Sequence, residues 1–349
     1  MLAARWHGRR DIRVDEIPEP DAPPPGWVKV RVAACGICGT DLEEYTGGPV
    51  LIPTERHPLT GALPPLTLGH ETVGVVEQAA ADVALEPGTR VAVEGNVVCG
   101  TCRCCVRGDY QLCERLGSLG LMGDGGLAEW MLAPAYTCIP YGGHVEAETA
   151  ALAEPLSVAV RAARRGRIAP GSTVGVVGAG TIGLLVAQTA RAAGAETVLV
   201  VDRHEPRRRL ALEHGADAAV DPADALAAAA ELTGGAGFDV TVEAAGNADA
   251  LRAAVGLAGR GGRTVLLGVS NAEIGIPMVE LLMAEKELIA SLSHCHDTDF
   301  AEAVRLLDAG AIDTSGIVSD VVPLERVVEA FDELLANPAD HLKVVVVPS

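Results

Sequence analysis

The densest chemistry in this sequence lies in one short segment, where cysteines recur as CxxCxxC and a further one follows: Cys99, Cys102, Cys105 and Cys113. Four thiolates this close along the chain can converge on one tetrahedral Zn²⁺ and leave no coordination position open, as in a structural zinc site. Cys104 interrupts the period, so we expect it to point away from the metal, and using it in place of Cys105 would spoil the spacing. Disulfides, an iron–sulfur cluster and metal-free thiols are the alternatives.

A second set of metal-type residues is distributed over three segments: Cys38, the adjacent pair His70 and Glu71, and Glu154. Thiolate, imidazole and carboxylate donors suit a catalytic zinc, which keeps one position open for water or a substrate oxygen. None of these residues is diagnostic alone, since a lone cysteine usually belongs to a core and a lone surface glutamate usually has no role. Together with the four-cysteine segment they predict two zinc ions per chain, one structural and one catalytic.

A glycine-rich turn adds a nucleotide to this chemistry. The motif GAGTIG at 178–183 follows a predicted strand, TVGVVG, and opens a predicted helix. The first glycine permits the tight turn, the second lets the backbone approach a pyrophosphate, and the third lets the helix pack on the strand while its N-terminal amides face the anion. The predicted cofactor contacts here are Gly178, Gly180, Thr181, Ile182 and Gly183. A glycine-rich turn in another kind of α/β protein is the alternative.

The residue that ends the next predicted strand, VLVVD, bears on the choice of cofactor. Its carboxylate, that of Asp202, can accept hydrogen bonds from an adenosine ribose and would repel the 2′-phosphate of NADP. We therefore expect NAD. Arg203, also a predicted cofactor contact, and the run Arg207 to Arg209 keep NADP open as the alternative.

Size and charge limit the possible functions. A chain of 349 residues is long enough for two domains, and a net charge of −20 would repel nucleic acid and anionic membrane surfaces. The N-terminal segment lacks the apolar region of a signal peptide, and no apolar run suggests a membrane span. We expect a cytoplasmic protein whose nine cysteines are free or metal-bound rather than paired.

The residue pattern changes at about Ala150. Before it, short β-branched runs bounded by Gly and Pro predict a mainly β region, with a proline-rich loop at 49–65 over a site. After it, apolar strands alternate with helices, which predicts a parallel sheet covered on both faces. From about Ser293, two predicted helices, DFAEAVRLLDAG and LERVVEAFDELLANP, precede a predicted edge strand, HLKVVVVP.

Two histidines near this return suggest a third metal site. His294 and His296 flank Cys295, and on one strand both histidines would share the face opposite the cysteine. We interpret all three as local polar residues.

These segments together resemble the zinc-dependent medium-chain dehydrogenase/reductase superfamily over essentially the whole chain. The matching motifs, in family order, are GICGTDL, LGHETVGVV, CGTCRCCVRGDYQLC, ALAEPLSVAVRA and VGAGTIGLL. The segment GTDLEEYTGGPVLIP, followed by HPLTG and PPLTLGHE, is most similar to the butanediol and polyol dehydrogenase branch.

The resemblance implies an α/β fold in two domains. A mainly β, GroES-like catalytic domain would comprise 1–154 and 294–349, a Rossmann domain with a doubly wound parallel sheet would comprise 155–293, and the active site would lie in the cleft between them. Cys38 and His70 would bind the catalytic zinc with Glu71 or Glu154 as the third protein ligand, and Asp41 would orient His70. A homodimer or homotetramer is expected.

The implied reaction is hydride transfer between NAD and a secondary alcohol of a vicinal diol, polyol or cyclitol, with zinc lowering the pKa of the hydroxyl. Thr40 would pass the proton on. Related enzymes often have a histidine where this chain has Glu43, so Glu43 accepts the proton, contacts a polar substrate or is merely solvated. His57 faces either the substrate or the solvent. The predicted catalytic residues are Cys38, Thr40, Glu43, His70, Glu71 and Glu154.

Other functions remain as alternatives. A dehydrogenase of an amino alcohol or a sugar in a biosynthetic route is the alternative enzyme. An NAD-binding scaffold with only the structural zinc would have lost the donors of the open site, and a zinc-free quinone or enoyl reductase would lack the whole set. This chain has all of them: Cys38, Thr40, His70 and Glu154.

Overall fold

The structure is a computed structural model and describes residues 1–270 and 272–348. The chain forms two compact units. The first comprises 1–154, 294–310 and the segment from Thr314 onward, and the second comprises 155–293 with 311–313. The described ranges contain no helix that is long and apolar enough to cross a membrane.

The first unit is mainly β-structure up to Glu154. Its strands in this part are β1 (Leu2–Gly8), β2 (Asp11–Glu16), β3 (Trp27–Gly36), β4 (Leu66–Thr67), β5 (Glu71–Ala79), β6 (Arg90–Val93), β7 (Asn96–Val97), β8 (Gly117–Ser118), β9 (Trp130–Pro134) and β10 (Cys138–Pro140). Its helices are short: α1 (Gly39–Gly47), α2 (Arg103–Val106) and α3 (Ala147–Ala150), with 3₁₀ turns at Tyr110–Leu112 and Ala135–Thr137. The region that the sequence predicts to be mainly β is confirmed.

Strands and helices alternate in the second unit, which the chain enters through α4 (Ala153–Gly166). The strands are β11 (Thr173–Val177), β12 (Thr197–Val201), β13 (Ala218–Val220), β14 (Phe238–Glu243), β15 (Ala258–Leu266) and β16 (Glu287–Ala290). The helices are α5 (Thr181–Ala192), α6 (Glu205–Glu213), α7 (Ala225–Thr233), α8 (Ala248–Leu257) and α9 (Met278–Ala284), with a 3₁₀ turn at Pro222–Asp224.

All six strands of the second unit are parallel and lie in the order β13-β12-β11-β14-β15-β16. The central strands β11 and β14 are almost wholly buried and rich in valine, as strands covered on both faces are. The strand order reverses between β11 and β14, which is the point where such sheets bind dinucleotides. The predicted doubly wound parallel sheet is confirmed.

The chain returns to the first unit at His294. A π-helical turn (His296–Phe300) leads into α10 (Ala301–Asp308), and β17 (Val318–Pro323), a 3₁₀ turn (Leu324–Arg326), α11 (Val327–Ala336) and β18 (Lys343–Val347) follow. Both predicted helices are confirmed. The predicted edge strand is wrong, because β18 pairs with β3 on one side and with β17 on the other. The sequence pattern does not predict β17, since its segment VSDVVP mostly faces solvent and carries a serine and an aspartate.

The main sheet of the first unit has the order β10-β6-β5-β3-β18-β17, and β9 also pairs with β3. The antiparallel register of β3 and β5 places Gly36, the last residue of β3, opposite Glu71, the first residue of β5. Val345 of β18 also lies opposite Gly36. The ends of three strands therefore meet at one point, which brings together side chains that are far apart in the sequence.

A buried apolar cluster fixes the backbone at this meeting point. It packs Ile37, Leu68 and Val346 with Phe331 of α11, and none of these four residues is more than 4% exposed. Ile37 directly precedes Cys38, and Leu68 lies two residues before His70. Since close-packed cores resist displacement, the two candidate metal ligands are held by the core beside them.

Candidate metal centres and nucleotide-binding loop

The three-strand meeting point assembles the mixed donor set. Cys38 stands between β3 and α1, and His70 directly precedes β5. The ligand atoms of Cys38, His70 and Glu71 all lie within 4.8 Å of one another. Gly36 makes room for this arrangement, because a Cβ on it would stand 1.9 Å from Oε2 of Glu71.

Glu71 is held by a buried ion pair. Its carboxylate is 1% exposed and contacts Nζ of Lys343, which also donates a hydrogen bond of 2.9 Å to the carbonyl of Ile37. Burial lowers the pKa of Lys343, but the negative charges of Glu71, Cys38 and Glu154 together outweigh it and raise that pKa overall, so the lysine is charged. Oε2 of Glu71 has no hydrogen-bond partner among the described residues. A buried carboxylate oxygen of this kind is suited to binding a cation.

His70 lies against a second acidic group. Its Nδ1 is 3.6 Å from Oδ1 of Asp41, whose side chain is fully buried and whose other oxygen accepts the backbone N–H of Cys38 at 2.8 Å. Burial lowers the pKa of His70, but Asp41 and the Cys38 sulfur outweigh it, and the pKa is raised well above its ordinary value. The surroundings of the imidazole thus favour positive charge, and thiolate, imidazole and carboxylate are the donors that Zn²⁺ takes in open sites. The residues present fit a zinc ion.

Glu154 lies close to this set without belonging to its compact core. It is the second residue of α4, and its side chain is 13% exposed. Burial raises the pKa of Glu71, and the negative charge of Glu154 raises it further. Oε1 of Glu154 also lies 3.6 Å from Nδ1 of His294. Glu71 and Glu154 therefore both stay candidates for the third protein ligand.

The two predicted proton-relay residues lie on one face of α1. Thr40 is partly buried, and its Oγ1 is 3.8 Å from the Cys38 sulfur. Glu43 follows three residues later, where one helical turn places it on the same face, and its side chain is exposed. The next residue, Glu44, is fully buried and accepts the backbone N–H groups of Val50 and Ile52, so it anchors the start of the proline-rich loop.

The four-cysteine segment forms a second compact donor group. The sulfur atoms of Cys99, Cys102, Cys105 and Cys113 all lie within 4.8 Å of one another. The sulfur of Cys105 lies 3.5 Å from that of Cys102 and 3.9 Å from that of Cys99. Around a tetrahedral zinc with Zn–S bonds of about 2.3 Å, two thiolate sulfurs stand about 3.8 Å apart, so these distances fit such an ion. Cys104 lies outside the group. All nine cysteines are free, so the disulfide alternative is wrong for this structure.

Backbone amides prepare two of these sulfurs, those of Cys99 and Cys102, to act as thiolates, whereas burial raises the pKa of Cys105 to about 12 and also raises that of Cys113. The N–H groups of Thr101 and Cys102 lower the pKa of Cys99 to about 5, and the N–H of Cys99 in turn donates to Cys113 Sγ at 3.3 Å. A negative sulfur is the form that binds metal, so a site with prepared thiolates fits zinc.

The interpretation of residues 294–296 as a strand of local polar residues is wrong. His294 is 2% exposed and lies between the carboxylates of Glu94 and Glu154, at 3.2 Å and 3.6 Å. His296 begins the π-helical turn, so the two histidines do not share one face of a strand. The prediction that the two histidines share one face assumes an extended backbone. It fails because this segment turns at Ser293, whose φ is +48°.

His57 is half-buried, and both nitrogens of its ring make hydrogen bonds to nearby backbone. Its Nε2 donates to the carbonyl of Leu116 at 3.1 Å, and its Nδ1 accepts the N–H of Thr60 at 3.3 Å. The ring thus pins the proline-rich loop to the segment that follows the four cysteines. The loop itself is confirmed, since no helix or strand is assigned between α1 and β4.

The glycine-rich turn connects β11 and α5 as predicted. Gly178 has φ +104°, which favours glycine, and a Cβ on Gly183 would stand 1.8 Å from the carbonyl oxygen of Gly178. A Cβ on Gly180 would point into open space. Thr181 and Ile182 form the first turn of α5, whose free N–H groups lie at its start. An open cradle at a helix N-terminus fits the pyrophosphate of a nicotinamide dinucleotide.

Asp202 closes this cradle from the next strand. Its two carboxylate oxygens accept the N–H groups of Ala179 and His204, each at 2.7 Å. Each oxygen keeps a second lone pair for a ribose hydroxyl. Arg203 is exposed and donates to the ring of His204, and Arg208 donates to the carbonyl of Asp202 at 2.8 Å.

Three charged residues of these sites have no place in the sequence prediction. Lys343 holds Glu71, Glu94 contacts His294, and Glu44 anchors a loop. Lys343 and Glu94 carry a weak signal, because a lysine at the start of a valine run and a glutamate after the strand RVAV are unusual in buried β-structure. Their partners come from distant segments and leave no local pattern.

The chain matches two family models and several curated relatives. The models are the alcohol dehydrogenase GroES-like domain over residues 24–143 and the zinc-binding dehydrogenase domain over residues 181–309. The chain is 34% identical to (R,R)-butanediol dehydrogenase of Bacillus subtilis (strain 168), with 100% of both chains covered, and 32% identical to sorbitol dehydrogenase of the same organism, with 100% of this chain and 98% of the relative covered.

Solved structures agree with these matches. The crystal structure of 2R,3R-butanediol dehydrogenase from Bacillus subtilis superimposes with a TM-score of 0.92, covering 100% of this chain and 99% of that chain at 34% identity. A zinc-binding dehydrogenase from Sinorhizobium meliloti 1021, bound to NADP, superimposes with a TM-score of 0.89 at 33% identity, with 99% of each chain covered.

We predict that Cys102→Ser lowers the zinc content by one ion per chain, whereas Cys104→Ser leaves it unchanged, because only the first removes a sulfur of the compact group. Metal analysis by mass spectrometry of the purified variants measures this, and thermal unfolding should show a lower midpoint for Cys102→Ser alone. Equal zinc content in the two variants would contradict the assignment.

Proposed function

Since this chain belongs to the zinc-dependent medium-chain dehydrogenase/reductase superfamily, we propose that it oxidises a secondary alcohol of a vicinal diol, polyol or cyclitol with NAD as hydride acceptor. The chain is an oxidoreductase that uses zinc and a nicotinamide cofactor. The observation that carries the substrate class is the compact Cys38–His70–Glu71 donor set, in a chain whose relatives are named for butanediol and sorbitol.

We assign two zinc ions to the chain. Cys99, Cys102, Cys105 and Cys113 hold a structural ion, and Cys38 and His70 hold a catalytic ion together with Glu71 or Glu154. When bound at the second site, zinc supplies the Lewis acidity that lowers the pKa of an alcohol hydroxyl. Asp41 contacts His70 and helps to hold its ring, and Lys343 holds the carboxylate of Glu71 beside the set and opposes the rise that burial causes in its pKa.

Thr40 and Glu43 provide a path for the released proton. The Thr40 hydroxyl stands beside the Cys38 sulfur and can accept a proton while it gives up its own. Glu43 lies one helical turn further along α1 at the surface, where its carboxylate can receive the proton and pass it to water.

The second unit binds the cofactor through its glycine-rich turn. Gly178 and Gly180 admit the pyrophosphate, and the N-terminal amides of α5 face its charge. Asp202 binds the adenosine ribose and disfavours a 2′-phosphate, which favours NAD over NADP. Arg203, the exposed residue that follows Asp202, can oppose this preference, and the Sinorhizobium relative shows that NADP binding occurs among similar structures.

We also propose that the chain forms a homodimer or homotetramer through the second unit. Helix α9 exposes four apolar side chains, those of Met278, Val279, Leu282 and Met283, each at least 66% exposed. The strand that follows, β16, is one of the two edge strands of the parallel sheet. An apolar helix beside a free sheet edge is a surface that a second copy can cover.

The first experiment is a panel of secondary alcohols. Stereoisomers of 2,3-butanediol, sorbitol, xylitol, myo-inositol and threonine are offered to the zinc-loaded protein with NAD or NADP, and reduced cofactor is followed by absorbance. We expect turnover of a diol or polyol with a kcat/KM at least tenfold higher for NAD, and turnover of threonine alone would favour the amino-alcohol alternative. Failure with every secondary alcohol would contradict the proposed function.

The second prediction concerns Glu43. We expect Glu43→Gln to lower kcat about tenfold below neutral pH, because a general base in such a path contributes at least that much. Glu86→Gln, at another exposed glutamate of the same unit, is the matched control. The pH profile of kcat is the measurement, and a profile that superimposes on that of the unmodified protein would remove Glu43 from the relay.

The third prediction concerns assembly. We expect the unmodified protein to elute at a multiple of 35.9 kDa in light-scattering chromatography, and Leu282→Glu to shift it towards the single-chain mass. Burying a leucine in an interface is worth about 1.5–3 kcal/mol, and a buried unpaired carboxylate costs more. Leu226→Glu, at an equally exposed leucine of α7, is the control. A single-chain mass for the unmodified protein would contradict the proposal.

A further inference from the structure

His294 connects the candidate metal ligand Glu154 to a second buried carboxylate. Its imidazole is almost wholly buried, with Nδ1 3.6 Å from Oε1 of Glu154 and Nε2 3.2 Å from Oε1 of Glu94. Glu94 is 1% exposed. One ring thus bridges two acidic side chains, one from the end of β6 and one from the start of α4.

The Glu94 carboxylate of this bridge is itself held in place. The amide of Asn96 donates to Oε1 of Glu94 at 2.5 Å and approaches the carbonyl oxygen of His294 at 3.4 Å. Asn96 therefore contacts both the side chain that faces the imidazole and the backbone that carries it. With Glu94 held in this way, the position of the His294 ring is defined relative to the main sheet.

The four-cysteine segment contacts the two residues that follow His294. The Cys295 sulfur lies 2.9 Å from Oε1 of Gln111, and the ring of His296 stands 4.5 Å from Tyr110 and 5.2 Å from Tyr136, between ring centroids. Gln111 and Tyr110 lie between the third and fourth cysteines of the segment. His294 therefore has little freedom to move without displacing this segment.

Each of the two candidate glutamates thus has its own basic partner: Lys343 for Glu71 and His294 for Glu154. The negative charge of Glu154 also raises the pKa of Glu71 and of Lys343, so its carboxylate lies within electrostatic reach of the donor set. The Glu154 side chain can reach the open site only if a neighbouring group fixes the direction of its carboxylate. Outer-shell partners of metal ligands commonly have this role.

We propose that His294 is a positioning residue that, braced by Glu94, holds the Glu154 carboxylate towards the Cys38–His70–Glu71 set and so strengthens zinc binding there. This inference rests on the proposed function. His294 acts through Glu154 and does not itself touch the reacting atoms.

The test is a double-mutant cycle of His294→Gln, Glu154→Gln and the double variant. Zinc affinity of the open site is measured by chelator competition, the visible spectrum is recorded with cobalt in that site, and kcat and KM are measured separately. We expect His294→Gln to weaken zinc binding about 10–100-fold and to lower kcat more than it changes KM. In the Glu154→Gln background the same change should have no further effect. His7→Gln, which breaks a histidine–carboxylate contact of 2.7 Å elsewhere in the first unit, should leave all four quantities unchanged.

Two results overturn the inference: unchanged zinc affinity in His294→Gln, or effects of the two single changes that multiply in the double variant. If His294→Gln does not fold, Glu94→Gln replaces it in the cycle with the same expected results, because it removes the brace and keeps both other side chains. The zinc affinities need no substrate, so they test His294 even if the unmodified protein oxidises none of the alcohols in the panel.

Discussion

The ion pair between Lys343 and Glu71 is the interaction on which the first unit depends. Taking both charges out of water costs several kcal/mol each, and their mutual attraction and the hydrogen bond to Ile37 offset that cost. The two residues lie on strands that flank β3, so the pair spans it. A slip of one residue in either strand would turn one charge to the other face and leave both unpaired. The pair therefore fixes the register that brings Cys38 to His70.

Local sequence patterns predict those parts of the sites whose members are close along the chain. The four cysteines and the GAGTIG turn are of this kind, since spacing in sequence there nearly equals spacing in space. The open site is assembled from three segments that are far apart in the sequence. The sequence therefore predicts which residues belong to it, but not which of its two glutamates binds the metal. Lys343 and Glu94 could not be assigned, because their contacts depend on strand register and on the order of strands in the sheet. The same limit explains why β18 is an inner strand and not an edge.

Charge around the open site is the second organising feature. Three glutamates and one aspartate converge there, against the basic side chains of Lys343, His294 and the candidate ligand His70. The lysine matters because the sequence contains only two others. An excess of buried negative charge is unstable unless a cation balances it, which is the condition that a resident metal ion satisfies. The acidic surroundings and the mixed donor set thus point to the same occupant.

The place of β18 in the main sheet sets an order of events during synthesis on the ribosome. All six strands of the second unit have been made by residue 290, whereas the end of β3 has no neighbour on one side until residues 343–347 emerge. About 190 residues separate Glu154 from Lys343, which at about 5–20 residues per second corresponds to about 10–40 s. During that interval the second unit is synthesised while the end of β3 remains an open sheet edge. Until Lys343 has been made, Glu71 lacks its partner in the ion pair. A chain truncated before this residue would therefore be a target for chaperones and proteases.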